Sequence, residues 1–464
     1  MLVNRTVIVI SDLHVGKRDS FDIFASRDKY SLFDGFLAHC KQLSELVEIV
    51  IDGDFVDFLQ LEPWNDTSRP TALRKIREII AGSEEVFSSL GKFLNESLHE
   101  LKIILGNHDV ELAYPEVSQE LIHAIVKFAP KARSRISLFD KRTSYNPIVN
   151  GVQIHIEHGN AEDSWNAINY NAIFQDAEIS TKSFDPPPGT AFVYEVMNGF
   201  KEQFHFVDLL KPEVPAVPLL LLALKPMMTS KLLPYALGGL LDALANGFLS
   251  QLRAQISGPA LGMGSVKLRS AADQLAAELA SECLRNSALE YSEIDRLKDY
   301  FFEVEADPAL PEASLGRHPR RFKIKMALWA LKGLARFKPA PAADSYSQNH
   351  PANRAAKVAR SRLKGNVKVV IFGHTHEALK TEFPEGLYVN SGTWANLIQM
   401  PEATPEALLT WVEMLSNNSF DVSANPTFVQ IDPVSEGVSV SLKSWSQNQP
   451  STLWTQSVSA PNAM

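Results

Sequence analysis

Val7-Ile8-Val9-Ile10-Ser11-Asp12-Leu13-His14 opens as an apolar, β-branched run and closes on a carboxylate and an imidazole two positions apart. Four further segments repeat that plan. Val47-Glu48-Ile49-Val50-Ile51 leads to Gly53-Asp54-Phe55-Val56-Asp57, and Leu101-Lys102-Ile103-Ile104-Leu105 leads to Gly106-Asn107-His108-Asp109. Val152-Gln153-Ile154-His155-Ile156 leads to His158-Gly159-Asn160, and Val367-Lys368-Val369-Val370-Ile371-Phe372 leads to Gly373-His374-Thr375-His376. Runs this short and this poor in charge read as α/β sheet strands buried on both faces. Ligands bind such open sheets in the crevice beyond the carboxyl ends of the strands. All five polar segments are therefore predicted to meet at one edge. Glycines at 53, 106, 159 and 373 are expected to turn the backbone sharply there and to let it approach a bound anion.

The residue types in these segments carry the chemistry. Asp12, Asp54 and the Asn107 carbonyl offer hard oxygen donors, and His14, His158, His374 and His376 offer imidazole nitrogens. That mixture suits manganese, iron or zinc and suits calcium poorly. Cys40 and Cys283 lie far from every motif, so thiolate-bound zinc and iron–sulfur chemistry have no support. Taken singly, each segment has a plainer reading: Asp-x-His after a strand can be a capping aspartate beside a surface histidine, and His374-Thr375-His376 an exposed turn. Five together favour a shared metal site. His39, His99, His123, His155, His205, His318 and His350 lack spaced partners and read as surface or internally satisfied side chains.

In order and content the five motifs resemble the calcineurin-like metallophosphoesterase superfamily over residues 1–160 and 365–400. The resemblance implies a four-layer αββα sandwich. It also implies that Asp12, His14 and His376 hold a first metal, that Asn107, His158 and His374 hold a second, and that Asp54 bridges them. His108 matches the catalytic histidine with Asp109 as its orienting partner. Asp57 matches a carboxylate that fixes a loop or a ligand imidazole without touching metal. Two divalent ions ~3.5–4 Å apart, manganese first and iron or zinc as alternatives, would polarise a phosphoester and activate a bridging water. An imidazolium at His108 would then protonate the leaving oxygen, worth roughly 10²–10⁴-fold.

Along the chain the core is expected to be split: residues 1–164 form its first part, 165–355 a large helical insertion or cap, 356–446 its second part, and 447–464 a flexible tail. Apolar spacing near 3.6 predicts a helix over Tyr30–Leu46, with others at 70–81, 83–99 and 116–128. Leu387–Trp394 reads as a strand and turn beside the site, and Thr427–Ile431 with Val438–Leu442 alternates like a hairpin of the second sheet. Pro186-Pro187-Pro188-Gly189 and Pro339-Ala340-Pro341 mark the ends of the insertion, inside which 270–285 and 288–303 read as amphipathic helices.

Two stretches of the insertion bear on the substrate. Leu219–Leu252 is rich in Leu and Ala but broken by Pro226, Pro234 and Gly238-Gly239, which favours a buried apolar hairpin over a membrane span. Residues 317–338 carry eight basic side chains and no acid, interleaved with Phe322, Trp329 and Phe337, a pattern that suits an anionic membrane surface or a phosphate-bearing substrate as well as an acidic face of the same protein. An apolar groove beside a basic helix fits an amphipathic or lipid-linked phosphodiester or pyrophosphate. A more distant similarity, to the bacterial UDP-diacylglucosamine pyrophosphohydrolases, points the same way. Asn160 replaces their usual acid after the His-Gly pair, and Gly-Asn-His-Asp appears where they often carry Arg.

With 464 residues, 45% hydrophobic content and two cysteines, the chain can bury a full core and has no disulfide framework. A first strand starting near the amino terminus leaves no room for a signal peptide, so the expected location is cytoplasmic, with peripheral membrane contact through 219–252 and 317–338 as an option. A net charge of −9 disfavours nucleic acid as a partner. The same apolar hairpin would equally serve a homo-oligomer. The competing readings are a small-molecule phosphodiesterase or phosphomonoesterase with a protein-only cap, and a non-catalytic binding module on this fold.

Overall fold

The computed structural model describes residues 5–24, 27–95, 97–139, 144–163, 354–399 and 425–460, with shorter pieces at 166–168, 187, 189–190, 193–201, 207–211, 410–411, 414–415 and 419. The stretches 219–252 and 317–338, the helices expected at 270–285 and 288–303, and the proline boundary at 339–341 lie outside the described residues.

In chain order the strands are β1 (Arg5–Ile10), β2 (Leu46–Asp52), β3 (Glu100–Ile104), β4 (Ile136–Phe139), β5 (Ser144–Tyr145), β6 (Ile148–Val149), β7 (Val152–Glu157), β8 (Leu210–Lys211), β9 (Val367–Phe372), β10 (Ala378–Phe383), β11 (Gly386–Ser391), β12 (Ile398–Gln399), β13 (Thr427–Val434), β14 (Gly437–Ser446) and β15 (Gln449–Val458). The longer helices are α1 (Arg27–Cys40), α2 (Arg69–Gly82), α3 (Glu84–Leu94), α4 (Pro115–Val126) and α5 (Arg354–Arg362).

Period-two alternation sorts the side chains of each central strand between two cores. From β1, Ile8 and Ile10 pack with Phe33, Phe36, Ile76, Phe87 and Leu121 of the helices. Val7 and Val9 face the other way, against Ile154, Ile156, Val369, Ile371 and Val389 of a second sheet. β9 divides likewise, with Val370 and Phe372 meeting Ala355, Ala356 and Ala359 of α5. The layers are therefore α, β, β, α, the sandwich that the resemblance implied. Each fully buried Val or Ile of these strands contributes roughly 1.5–3 kcal/mol, which fixes the register and so the position of every strand end.

The first sheet runs β15-β14-β13-β1-β2-β3-β4 and the second β10-β11-β9-β7-β5, with β6 also paired to β7. β1 to β4 are mutually parallel, as are β7, β9 and β11, so in both sheets the chemistry-bearing loops follow carboxyl ends.

Several sequence expectations are corrected. The β13–β14 hairpin joins the first sheet, antiparallel to β1, and not the second. The segment from 447, expected to be a flexible tail, contains the ten-residue β15, which runs along β14 with one bulge, at Leu453; an edge strand keeps little buried surface, so its polar composition hid it. α1 lies a turn earlier than predicted, and α3 stops at Leu94, where Asn95 N–H caps Gly91 O at 2.9 Å.

Candidate metal centre

Backbone hydrogen bonds lace the strand ends of both sheets together. Asp12 N donates to Gly53 O at 3.2 Å and His14 N to Asp54 O at 2.9 Å, joining the β1 loop to the β2 loop. Gly373 N donates to His158 O at 3.1 Å, joining the β9 loop to the β7 loop. The sheets meet through Asp12, whose carboxylate accepts from His374 N at 3.0 Å and whose carbonyl accepts from Trp394 N at 3.1 Å.

The backbone at these loops is strained. Asp12 (φ 54°), His14 (φ 51°), Asp54 (φ 49°), His374 (φ 68°) and His376 (φ 61°) all sit in the left-handed region. For residues other than glycine this costs on the order of 1–3 kcal/mol each and persists where surrounding contacts impose it. Five such residues at one edge mark a place where side-chain direction outranks backbone ease.

That strain points the side chains at one another. His14 Nε2 lies 3.2 Å from His376 Nε2, and His376 Nε2 lies 3.2 Å from Asp12 Oδ1. His158 Nε2 lies 3.2 Å from Asp54 Oδ2 and 4.0 Å from Asp12 Oδ1, while His14 Nε2 is 3.8 Å from Asp54 Oδ2. Among the described residues donor atoms thus converge in three overlapping groups, Asp12 with His14 and His376, Asp12 with Asp54 and His158, and His14 with Asp54 and His108. His374 stands outside these groups, its Nε2 held 2.9 Å from Asp163 Oδ2.

Electrostatics agree with the geometry. Burial pushes the Asp12 carboxyl upward, but His376 and His158 outweigh it and bring it down to about 2. For Asp54 the same burial is overcome by His158 and His108, which hold it well below the ordinary carboxylate range. His158 loses affinity for a proton by burial and regains more from Asp54, ending at about 10. Each acid is an anion, buried and pressed against nitrogen donors.

Asp57 keeps its expected place beside a ligand imidazole and also meets the ring of His108, for which Asp109 was the expected partner. Asp57 Oδ2 is 3.1 Å from His108 Nδ1, so Asp57 orients that ring. The Asp109 carboxylate turns back on the chain, accepting from Gly106 N at 2.6 Å and Phe55 N at 2.8 Å. It braces the β2 and β3 loops against each other. Asp57 Oδ2 also lies 3.1 Å from His14 Nδ1, where it fixes an imidazole, as expected of it. Asp163 was not found by sequence reasoning; it follows the fourth motif without a spacing signal of its own.

The glycines make room for side chains of the site itself. A Cβ on Gly106 would lie 2.1 Å from Asp54 Oδ1, and one on Gly53 (φ 80°) would lie 2.3 Å from His158 Nδ1. Their smallness lets the donor groups close up. His99 and His155, set aside from the sequence, are satisfied elsewhere: His99 Nδ1 accepts from Val47 N at 3.1 Å, and His155 faces Asn146 and Glu157.

This donor set fits divalent metal. Asn107 Oδ1 is buried with no hydrogen-bond partner among the described residues. Two imidazole nitrogens at 3.2 Å from each other and buried carboxylates beside them call for a positive charge between them. A family model described as calcineurin-like phosphoesterase matches residues 5–204, which takes in all but His374 and His376 of the predicted site. No curated protein matches the chain.

Proposed function

We propose, from the match of residues 5–204 to the calcineurin-like phosphoesterase family model, that this chain is a dinuclear phosphoesterase cleaving a phosphodiester or pyrophosphate bond. Metal-dependent phosphoester hydrolysis is the chemistry of that family. The observation that carries the finer reading is the convergence of Asp12, His14, Asp54, His158 and His376, drawn from both sheets, into overlapping donor groups with two shared carboxylates. Two groups that share acids suit a pair of ions better than one. Manganese is the first candidate, with iron and zinc as alternatives on the same N/O donor set.

In this reading Asp12, His14 and His376 hold one ion, Asn107, His158 and His374 the other, and Asp54 both. Bound ions would supply polarisation of the phosphoryl group and activation of a water nucleophile. The chain's own residues do the rest. His14 and His158 are each anchored through Nδ1, to Asp57 Oδ2 at 3.1 Å and to Asp52 O at 2.7 Å, which presents Nε2 of both rings to the centre. His108, more exposed than its neighbours, is held at Nδ1 by Asp57 and turns its Nε2–H to the leaving oxygen as general acid.

An amphipathic or lipid-linked substrate, with membrane contact, is the finer proposal and rests on the sequences 219–252 and 317–338 and on the distant resemblance noted with them. Among the described residues no helix is long and apolar enough to cross a membrane. The test is a turnover screen of manganese-loaded protein on p-nitrophenyl mono- and diesters, nucleotide sugars and a lipid pyrophosphate. Preference for diester or pyrophosphate supports the proposal. Preference for the monoester supports the protein-capped phosphomonoesterase, and turnover of the lipid substrate no better than of bis-p-nitrophenyl phosphate removes the lipid reading.

A further inference from the structure

We propose that Asp163 is a positioning residue that sets the tautomer and direction of His374, tying the turn that leaves β7 to the second ion site. The inference rests on the dinuclear reading above. Asp163 Oδ2 lies 2.9 Å from His374 Nε2, and both side chains are nearly buried. A carboxylate can accept but not donate, so the hydrogen of this bond resides on Nε2. Nδ1 of His374 then carries the lone pair, which makes it the ring nitrogen able to take a cation.

The local chain is built to deliver that carboxylate. Gly159 (φ 99°) packs against Phe372, the last residue of β9, at a distance where a Cβ would touch the ring at 3.2 Å. The ends of β7 and β9 are thereby adjacent. The chain next makes a tight turn, Asp163 N donating to Asn160 O at 3.0 Å and Asn166 N to Asp163 O at 3.0 Å. Asn166 Nδ2 donates to Asp163 Oδ2 at 2.8 Å, steadying the same oxygen that receives His374.

His374 differs in this from its neighbours. His14 and His158 are anchored through Nδ1 and look inward with Nε2. His374 is anchored through Nε2, and its ring centroid lies 5.3 Å from that of His158 in an edge-on arrangement. In the dinuclear reading a cation on His374 would sit at Nδ1. Without Asp163 the bond that fixes the tautomer is gone, and the second site loses a positioned donor.

The experiment is a manganese titration, followed by electron paramagnetic resonance of free Mn²⁺, on the wild type, Asp163→Ala and Asp163→Asn, with thermal midpoints of the metal-free proteins. The wild type is expected to bind two equivalents. In Asp163→Ala one of the two should weaken about 10–100-fold and the other stay unchanged. Asp163→Asn, whose amide oxygen still accepts from Nε2, should recover most of the loss. Unchanged affinities in Asp163→Ala would overturn the assignment while leaving the dinuclear reading intact. Equal loss in the Ala and Asn variants would make Asp163 a direct ligand, and equal weakening of both sites with a lowered metal-free midpoint would make it merely structural; either contradicts the inference. A wild type that binds no manganese removes the dinuclear reading and this inference with it.

Discussion

His14 and His108 lean on one atom: Asp57 Oδ2 is 3.1 Å from Nδ1 of each, and the two rings meet edge to face with centroids 4.7 Å apart. A proposed metal ligand and the proposed general acid are thus aimed by the same oxygen. Burial would raise the Asp57 carboxyl, but His108 and then His14 hold it far below the ordinary range. Asp57→Ala should therefore lower kcat and weaken metal binding together, about 10–100-fold, and Asp57→Asn should recover part of both. Steady-state kinetics beside a metal titration check it. A loss confined to one of the two would break the shared-anchor argument.

Removing the acid alone should separate chemistry from metal. His108→Ala is expected to keep its metal content and lose roughly 10²–10⁴-fold in turnover of an alkyl ester. The loss should shrink for p-nitrophenyl esters, whose leaving group departs without a proton. Wild-type rates on the alkyl ester would refute the role.

Closeness at the strand ends gives a test that removes no donor atom. In Gly106→Ala the new Cβ would fall 2.1 Å from Asp54 Oδ1 and 2.4 Å from Asp54 N, and the backbone atom cannot rotate away. Asp54 must shift. The variant is expected to lose metal and to be destabilised by about 1–3 kcal/mol through overpacking, read by metal analysis and urea unfolding. Retained metal at full occupancy would show that Asp54 needs less exact placement.

Away from the centre, Lys29 lies fully buried, its Nζ donating to Ile23 O at 2.7 Å, and burial lowers its ammonium to about 7 against the opposing pull of Asp22. An unfolded chain keeps that proton up to the usual lysine value of 10.5. Between those values the unfolded state binds more protons than the folded one, so this group makes stability rise with pH, by up to about 1.4 kcal/mol per unit. Its full penalty applies below about pH 7. Lys29→Met should flatten the slope between pH 7 and 10, measured as unfolding midpoints in urea. An unaltered slope would mean that Lys29 stays charged in the fold.

How much of this could be read from the chain alone follows from range. Asp12 and His14 were legible because a buried strand writes itself as a β-branched run and stops at its own polar end. The inter-sheet meeting was legible through the family resemblance, since nothing local in Gly373–His376 says that it will face residue 12. Asp163 was not, because its bond to His374 joins residues 211 apart and follows no spacing rule. Adjacency misled at Asp109, whose carboxylate folds back on two backbone N–H groups while Asp57 crosses from another loop to reach His108. β15 escaped notice because hydrogen bonding to β14, not apolar burial, defines it.

Everything functional rests on ions held between the two sheets by shared carboxylates. The direct measurement is the number of transition-metal equivalents retained by the dialysed wild type and by Asp54→Ala, with diesterase turnover recorded on the same samples. Two equivalents with turnover in the wild type, and the loss of both in a folded Asp54→Ala, are the results expected. A folded wild type that holds no metal, or an Asp54→Ala variant that keeps two equivalents and full turnover, would contradict the dinuclear centre.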